Sequence, residues 1–306
     1  MVNLMHHYVL VLCLLHDVVS GVGMSEPRQN CPQDSDSWNS SPASISCANV
    51  TSKLDEIIQR GYLKVGTTGD YKPFTYLVTN TTLLPNSTLT AGLNTTYIGA
   101  DITAAQSLSK ALGLPSGVQF VPSAWANLTT DLSAGRFDIA MGGVSATLAR
   151  SRSAFFSTAI QRVGKTGCIR CSDAEKFTDL ASIDRPGVKV VVNPGGSNQA
   201  FDEANLKKAS VLLVDDNNAV FQAVLSGLAD AMISDLIEVE LQVRLHPGEL
   251  CIVNPGKPFN FEELAYMVGR DVVWKNFVDA WVHIFLGSGA WNQTLEEWMD
   301  YKWPRV

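Results

Sequence analysis

The chain has little charge and no excess of cations. Only 17% of its 306 residues are Asp, Glu, Lys or Arg, and 23 basic against 30 acidic residues leave a formal net charge of -7. Such a surface does not neutralise a phosphate backbone, which disfavours nucleic-acid binding. An anionic ligand must then be held by a local cluster of donors rather than by the overall field. Long apolar runs are scarce as well. The stretch from Tyr8 to Leu15 falls short of the roughly 20 residues that a bilayer span needs, so no membrane span is expected. No Gly-rich phosphate loop, nucleophile elbow or HExxH is found, which argues against nucleotide enzymes, hydrolases of that kind and metalloproteases. Hydrophobic residues make up 46% of the chain, enough for a sizeable core.

The apolar stretch follows His6 and His7 and precedes the small residues Ser20, Gly21 and Gly23, the pattern of a secretory signal that lacks a basic n-region. Of six cysteines, Cys13 falls within it, leaving Cys31, Cys47, Cys168, Cys171 and Cys251, an odd number. Cys168 and Cys171 have CxxC spacing, but no second CxxC or HxxxH accompanies them, so zinc is not expected. Structural disulfides fit an oxidising compartment better. The expected pairs are Cys171–Cys251 and Cys31–Cys47, with Cys168 free. Seven N-x-S/T sequons, at Asn39, Asn49, Asn80, Asn86, Asn94, Asn127 and Asn292, suggest glycosylation and secretion from a eukaryotic cell, or a periplasm-like location if the cell is bacterial.

After a Ser-, Pro- and Asn-rich leader, β-branched runs alternate with helical periodicity. Leu63 to Thr67, Val118 to Pro122 and Ile139 to Met141 read as strands, with helices over Gly99 to Leu112 and Trp125 to Ala134. The second half repeats this, with strands at Val188 to Val192, Val211 to Val214 and Ala231 to Ile233, and helices over Asn198 to Lys208 and Asn217 to Ser226. Two such blocks imply two α/β lobes with a cleft between them. Amphipathic helices over Asp271 to Phe285 and Trp291 to Trp303 close the chain.

The stretches "LKVGTTGDYKPFTY" and "FDIAMGGVSATLARSRSAFFS" resemble the first lobe of type II periplasmic solute-binding proteins for amino acids. "GVKVVVNPGGSNQAFDEANLKKA" and "ADAMISDLIEVELQVRLHPGELC" are similar to the cyclohexadienyl dehydratases, enzymes built on that scaffold. The likeness runs from about Leu54 to Trp303 with an insertion around Asn80 to Thr96. It implies an α/β, two-lobed, type II periplasmic-binding-protein-like fold, each lobe a mostly parallel sheet flanked by helices, with a two-strand hinge. The expected organisation is a signal peptide over 1–23, a leader over 24–53, a first lobe over 54–158 to which 253–306 returns, and a second lobe over 159–252.

The activity that the resemblance implies is loss of water and carbon dioxide from prephenate or arogenate, leaving phenylpyruvate or phenylalanine. The general acid of the dehydratases is the Glu of a DxxE stretch, here Glu238 after Asp235. A carboxyl in a dry cleft keeps its proton and can hand it to a departing hydroxyl. Asn193 and Asn198, around the NPGGSN turn, are expected to hold Glu238 and contact that hydroxyl. Arg150 matches the family's carboxylate-gripping arginine, and Gly143 and Ser145 offer backbone N–H groups and a hydroxyl beside it. Asp235 matches the acid that pairs with an α-amino group. Lys165 is read as a charge for a second carboxylate or as a surface lysine, and Trp125 as a wall for the substrate ring or as core. Thr68, Asp70 and Tyr71 are expected on the first-lobe wall. Gln199 replaces a Glu of the family pattern. The implied partner is a small-molecule dicarboxylate or amino-acid ligand, with no cofactor, no metal and a homo-oligomer left open. The alternative is a non-catalytic extracellular solute-binding protein for an amino acid or small aromatic carboxylate.

Overall fold

Ser52 sets the start of the first helix: its Oγ accepts from the backbone N–H of Asp55, Asp271 Oδ2 accepts from the Lys53 N–H at 2.7 Å, and Gly61 in the left-handed region ends it. The structure is a computed structural model that describes residues 50–78 and 96–304. The expected signal, most of the leader, Cys13, Cys31, Cys47 and the sequons at Asn39, Asn49, Asn80, Asn86 and Asn94 lie outside the described residues.

Helix α1 (Lys53–Arg60) leads into β1 (Leu63–Thr67). A small antiparallel sheet follows, made of β2 (Asp70–Tyr71), β3 (Thr75–Val78) and β4 (Thr96–Ile98). Then come α2 (Ala100–Ala111), β5 (Val118–Pro122), α3 (Leu128–Ser133), β6 (Ile139–Ala140), α4 (Leu148–Ser151) and β7 (Phe155–Phe156). The chain crosses over along β8 (Gln161–Val163) into β9 (Lys165–Arg170), then runs through α5 (Leu180–Ile183), β10 (Lys189–Val192), α6 (Ser197–Asn205), β11 (Ser210–Leu213), α7 (Asn217–Leu225), β12 (Ala231–Asp235), α8 (Leu236–Leu245) and β13 (Leu250–Val253). It returns along β14 (Glu262–Leu264), adds β15 (Met267–Val268), and ends in α9 (Val272–Gly287) and α10 (Ala290–Met299).

Two five-stranded sheets result, ordered β5-β1-β6-β15-β7 and β11-β10-β12-β9-β13. In each, the central β-α-β strands are parallel, and the strands next to the crossover are antiparallel. The crossover strands β8 and β14 pair with one another, antiparallel, Glu262 opposite Val163. This is the two-lobed arrangement with a two-strand hinge expected from the sequence. In the second sheet, Val191 and Met232 bury into one cluster while Val190 and Ile233 bury into another. Both faces are covered, as its run of valines requires. The first sheet packs against α9 and α10, whose Trp274, Trp281 and Trp291 are core residues.

Cys171 and Cys251 form a disulfide, and Cys168 is a free, buried thiol in β9. Three helices are shorter than expected; the one read to Trp303 ends at Met299. The helix read over Trp125 to Ala134 begins at Leu128, because Trp125 is held elsewhere. The helix read to Lys208 stops at Asn205, where the backbone N–H groups of Lys207, Lys208 and Ala209 all donate to Asp184 Oδ1.

Candidate active site

Parallel strands end together, and the loops beyond their carboxyl ends form the natural ligand crevice of such sheets. Here Tyr71 of β2, the segment after β5 and the segment after β6 face the turn after β10 and the end of β12. They surround a narrow cleft lined by Tyr71, Trp125, Gly143, Ser145, Asn193, Gly196, Ser197, Asn198, Asn217, Asp235 and Glu238. Of the residues singled out in the sequence, eight meet in this lining. Arg150 and Lys165 stand one layer behind it. Thr68 is half-buried on the turn after β1 and is not among the lining residues.

Glu238, in the first turn of α8, is only 2% exposed. Asn217 Nδ2 donates to its Oε1 at 2.9 Å, and Ser234 Oγ donates to its Oε2. Burial pushes this carboxyl up to about 8; the bonds from Ser234 and Asn217 pull the other way, and the charges of Asp235 and Asp70 add to the rise. At neutral pH Glu238 is a mostly protonated acid facing the cavity. Asn217 Nδ2 also donates to the backbone carbonyl of Asp70, at 3.0 Å, so one amide joins the acid to the opposite lobe.

Support for Glu238 comes partly from residues not foreseen. Asn217 and Ser234 make the direct contacts, whereas Asn198 was expected to make one. Its Nδ2 instead reaches Ser234 Oγ at 3.0 Å and acts through it. Ser234 lies four residues before Glu238 at a strand–helix junction, a spacing that could have signalled it. Asn217 has no comparable local signature. Asn193 is buried and lines the cavity.

Asp235 ends β12 opposite Lys165 of β9. Lys165 Nζ lies 2.8 Å from Asp235 Oδ1 and 3.0 Å from Glu262 Oε2, and donates to Ser197 Oγ at 3.0 Å and Asn198 Oδ1 at 2.6 Å. Burial opposes its charge, but Asp235 and Glu262 outweigh that and raise its affinity for the proton. It is therefore no surface lysine: its side chain has no exposure. The second oxygen of Asp235 accepts from the Tyr71 hydroxyl, and burial beside Asp235 pushes that hydroxyl far above its ordinary range, keeping it a donor.

The anion-binding wall differs from expectation at one atom. The Gly143 N–H is not free; it donates to buried Asp101 Oδ2 at 2.8 Å. Ser145 Oγ pairs with Ser197 Oγ across the cleft at 2.9 Å and reaches Glu262 Oε2 at 3.4 Å. Arg150 Nη1 donates to the Ser145 carbonyl at 3.0 Å. Trp125 lies edge-on to Tyr71 and donates from Nε1 to Asp70 at 3.0 and 3.1 Å. Gln199 Oε1 accepts from Gly195 N–H at 2.6 Å and so fastens the turn.

Fold and crevice together define a ligand-binding protein of two hinged lobes, and the chain belongs to the bacterial extracellular solute-binding proteins, family 3, whose model matches residues 63–301. Within that family it is 46% identical, over 86% of its length and 91% of the relative's, to the cyclohexadienyl dehydratase of Pseudomonas aeruginosa. It is 25% identical over 74% of its length, and 79% of the relative's, to the L-cystine-binding protein TcyJ of Escherichia coli. A crystal structure of an ancestral amino acid-binding protein, described as a precursor of cyclohexadienyl dehydratase, superposes with a TM-score of 0.70 at 30% identity, covering 82% of this chain and all of that one.

Proposed function

We propose that this chain is a lyase that removes water and carbon dioxide from prephenate, with Glu238 as the general acid. The observation that carries the reading is the buried, cavity-facing carboxyl of Glu238, held by Asn217 and Ser234, whose burial favours the protonated form. The 46% identity to a dehydratase supports the same class. In the reaction, Glu238 gives its proton to the ring hydroxyl as the C–O bond breaks, and water departs. The ring carboxylate leaves as carbon dioxide, and its electron pair completes the aromatic ring. Glu238 is left as carboxylate and regains a proton from solvent.

Arg150 and Lys165 supply the positive charge for a dianionic substrate, which the overall charge of the protein does not. Prephenate is favoured over arogenate because Asp235, the partner for an α-amino group, is already satisfied by Lys165 and Tyr71. The disulfide fits an exported protein, and the exposed Asn127 and Asn292 would accept glycans in a cell that attaches them. Purified protein should convert prephenate to phenylpyruvate, followed by ultraviolet absorbance. Glu238→Gln should lower kcat by roughly 10²- to 10⁴-fold while prephenate still raises the melting temperature. Wild-type protein that is stabilised by prephenate without turning it over would point to a binding-only member of the family.

A further inference from the structure

The hinge carries a carboxylate to which the dehydration scheme gives no task. Glu262 opens β14, paired with Val163 two residues before Lys165. On its other side β14 runs beside the cleft wall: Ser145 bridges to Leu264, and the Ala146 N–H donates to the Glu263 carbonyl at 2.9 Å. The Glu262 side chain is thus aimed at the meeting point of the lobes. Its Oε2 lies 3.0 Å from Lys165 Nζ and 3.4 Å from Ser145 Oγ, its Oε1 accepts from Asn260 Nδ2 at 3.4 Å, and its charge acts on Arg150. Lysine, serine hydroxyl and nearby arginine make the donor set that a ligand carboxylate would seek.

Lys165 has three hydrogens to give and four acceptors within 3.0 Å. Three of these are fastened independently: Asp235 by Tyr71, Asn198 by Ser234, and Ser197 by Ser145. Besides Lys165, Glu262 has the two longer contacts and the neighbouring carboxyl of Asp235; burial and then the charge of Asp235 raise its affinity for a proton against the pull of Lys165, and its side chain is 15% exposed whereas that of Asp235 is 3% exposed. It is the partner that can be exchanged.

We propose that Glu262 is an internal carboxylate occupying the seat of a ligand carboxylate, and that an incoming carboxylate takes over Lys165 and Ser145 from it. Glu262 is then a specificity-determining residue. A neutral group or an amine gains nothing at this seat, whereas a carboxylate meets an ammonium that is already desolvated and oriented. The inference rests on the dehydratase reading only for its choice of prephenate; the competition holds for any carboxylate ligand of the cleft.

Glu262→Gln removes the competing charge and keeps the shape. The dissociation constant of phenylpyruvate, read by tryptophan fluorescence, and the KM for prephenate should each fall by about tenfold, the scale of one charge-assisted hydrogen bond regained. Glu263→Gln, on the opposite face of the same strand, should leave both where they were. Glu262→Asp draws the charge back by one methylene and should tighten phenylpyruvate binding by a smaller factor; it decides the matter if the Gln variant does not fold. Unchanged or weaker phenylpyruvate binding in a folded Glu262 variant overturns the proposal. Failure of wild type to turn over prephenate overturns the dehydratase reading instead, and leaves the binding comparison to judge Glu262.

Discussion

At the scale of single residues, the acid strength of Glu238 is a balance in which burial wins over two hydrogen bonds. Its direction has consequences for rate and for stability. The proposed reaction needs the protonated form, so kcat/KM should decline as pH rises through about 8. Ser234→Ala removes a bond that favours the charged form; the decline should move to higher pH, with kcat reduced roughly tenfold as Glu238 loses its fixed position. Stability follows the same group. The native carboxyl holds its proton to about 8, against an ordinary value of 4.5, so between those limits the folded state binds more protons than the unfolded one. The contribution is fully present below 4.5 and lost as pH rises to 8. Glu238→Gln has no such dependence, so its melting temperature should gain on that of wild type steadily across that window. The sequence pattern pointed to Glu238 and Asp235 through their spacing and family likeness. It did not point to Asn217 or Glu262, whose partners lie 21 and 97 positions away in the chain and meet them only through folding.

At the scale of elements, the segment after β6 is shaped by close approach. Gly143 has φ +71°, and a Cβ there would stand 2.5 Å from the Tyr71 ring and 2.7 Å from Phe74. Gly143→Ala should cost about 1–3 kcal/mol, seen as a lower melting temperature. It should also raise KM, because the displaced Tyr71 ring carries the hydroxyl that holds Asp235. Strands were the most legible elements. The stretch Val188 to Val192 is β-branched apart from the exposed Lys189, Ala231 to Ile233 is apolar throughout, and both lie in the middle of the second sheet. Helix ends were legible where the stop is local, as at Gly61, and not where it is distant. Nothing near Asn205 announces that Asp184, over twenty residues earlier, will gather three consecutive N–H groups and end α6.

At the scale of the whole molecule, each lobe owes its integrity to a different device. The first is sealed by the tryptophan-rich helices α9 and α10, whose burial is available to any sheet that presents an apolar face. The second is stapled by Cys171–Cys251, across a separation of 80 residues. Reduction should therefore cost roughly 2–4 kcal/mol, by removing a constraint on the unfolded chain. Calorimetry of reduced against oxidised protein should show the melting temperature lower by several degrees. The alternation of strands and helices made the two-lobed plan legible from the sequence. The crossovers were less so, because β8 and β14 are three residues each and carry no periodicity of their own.

The two hydrogen bonds donated by Asn217 Nδ2 tie that plan to the chemistry. This amide nitrogen serves the acid with one hydrogen and the far lobe with the other. Were the lobes to part, water would reach Glu238, the amide would lose its second anchor, and the carboxyl would relax toward an ordinary, ionised glutamate. The proton needed for catalysis would then exist only while the jaws are shut, so that a molecule too large to let them meet is held by its carboxylate and released intact.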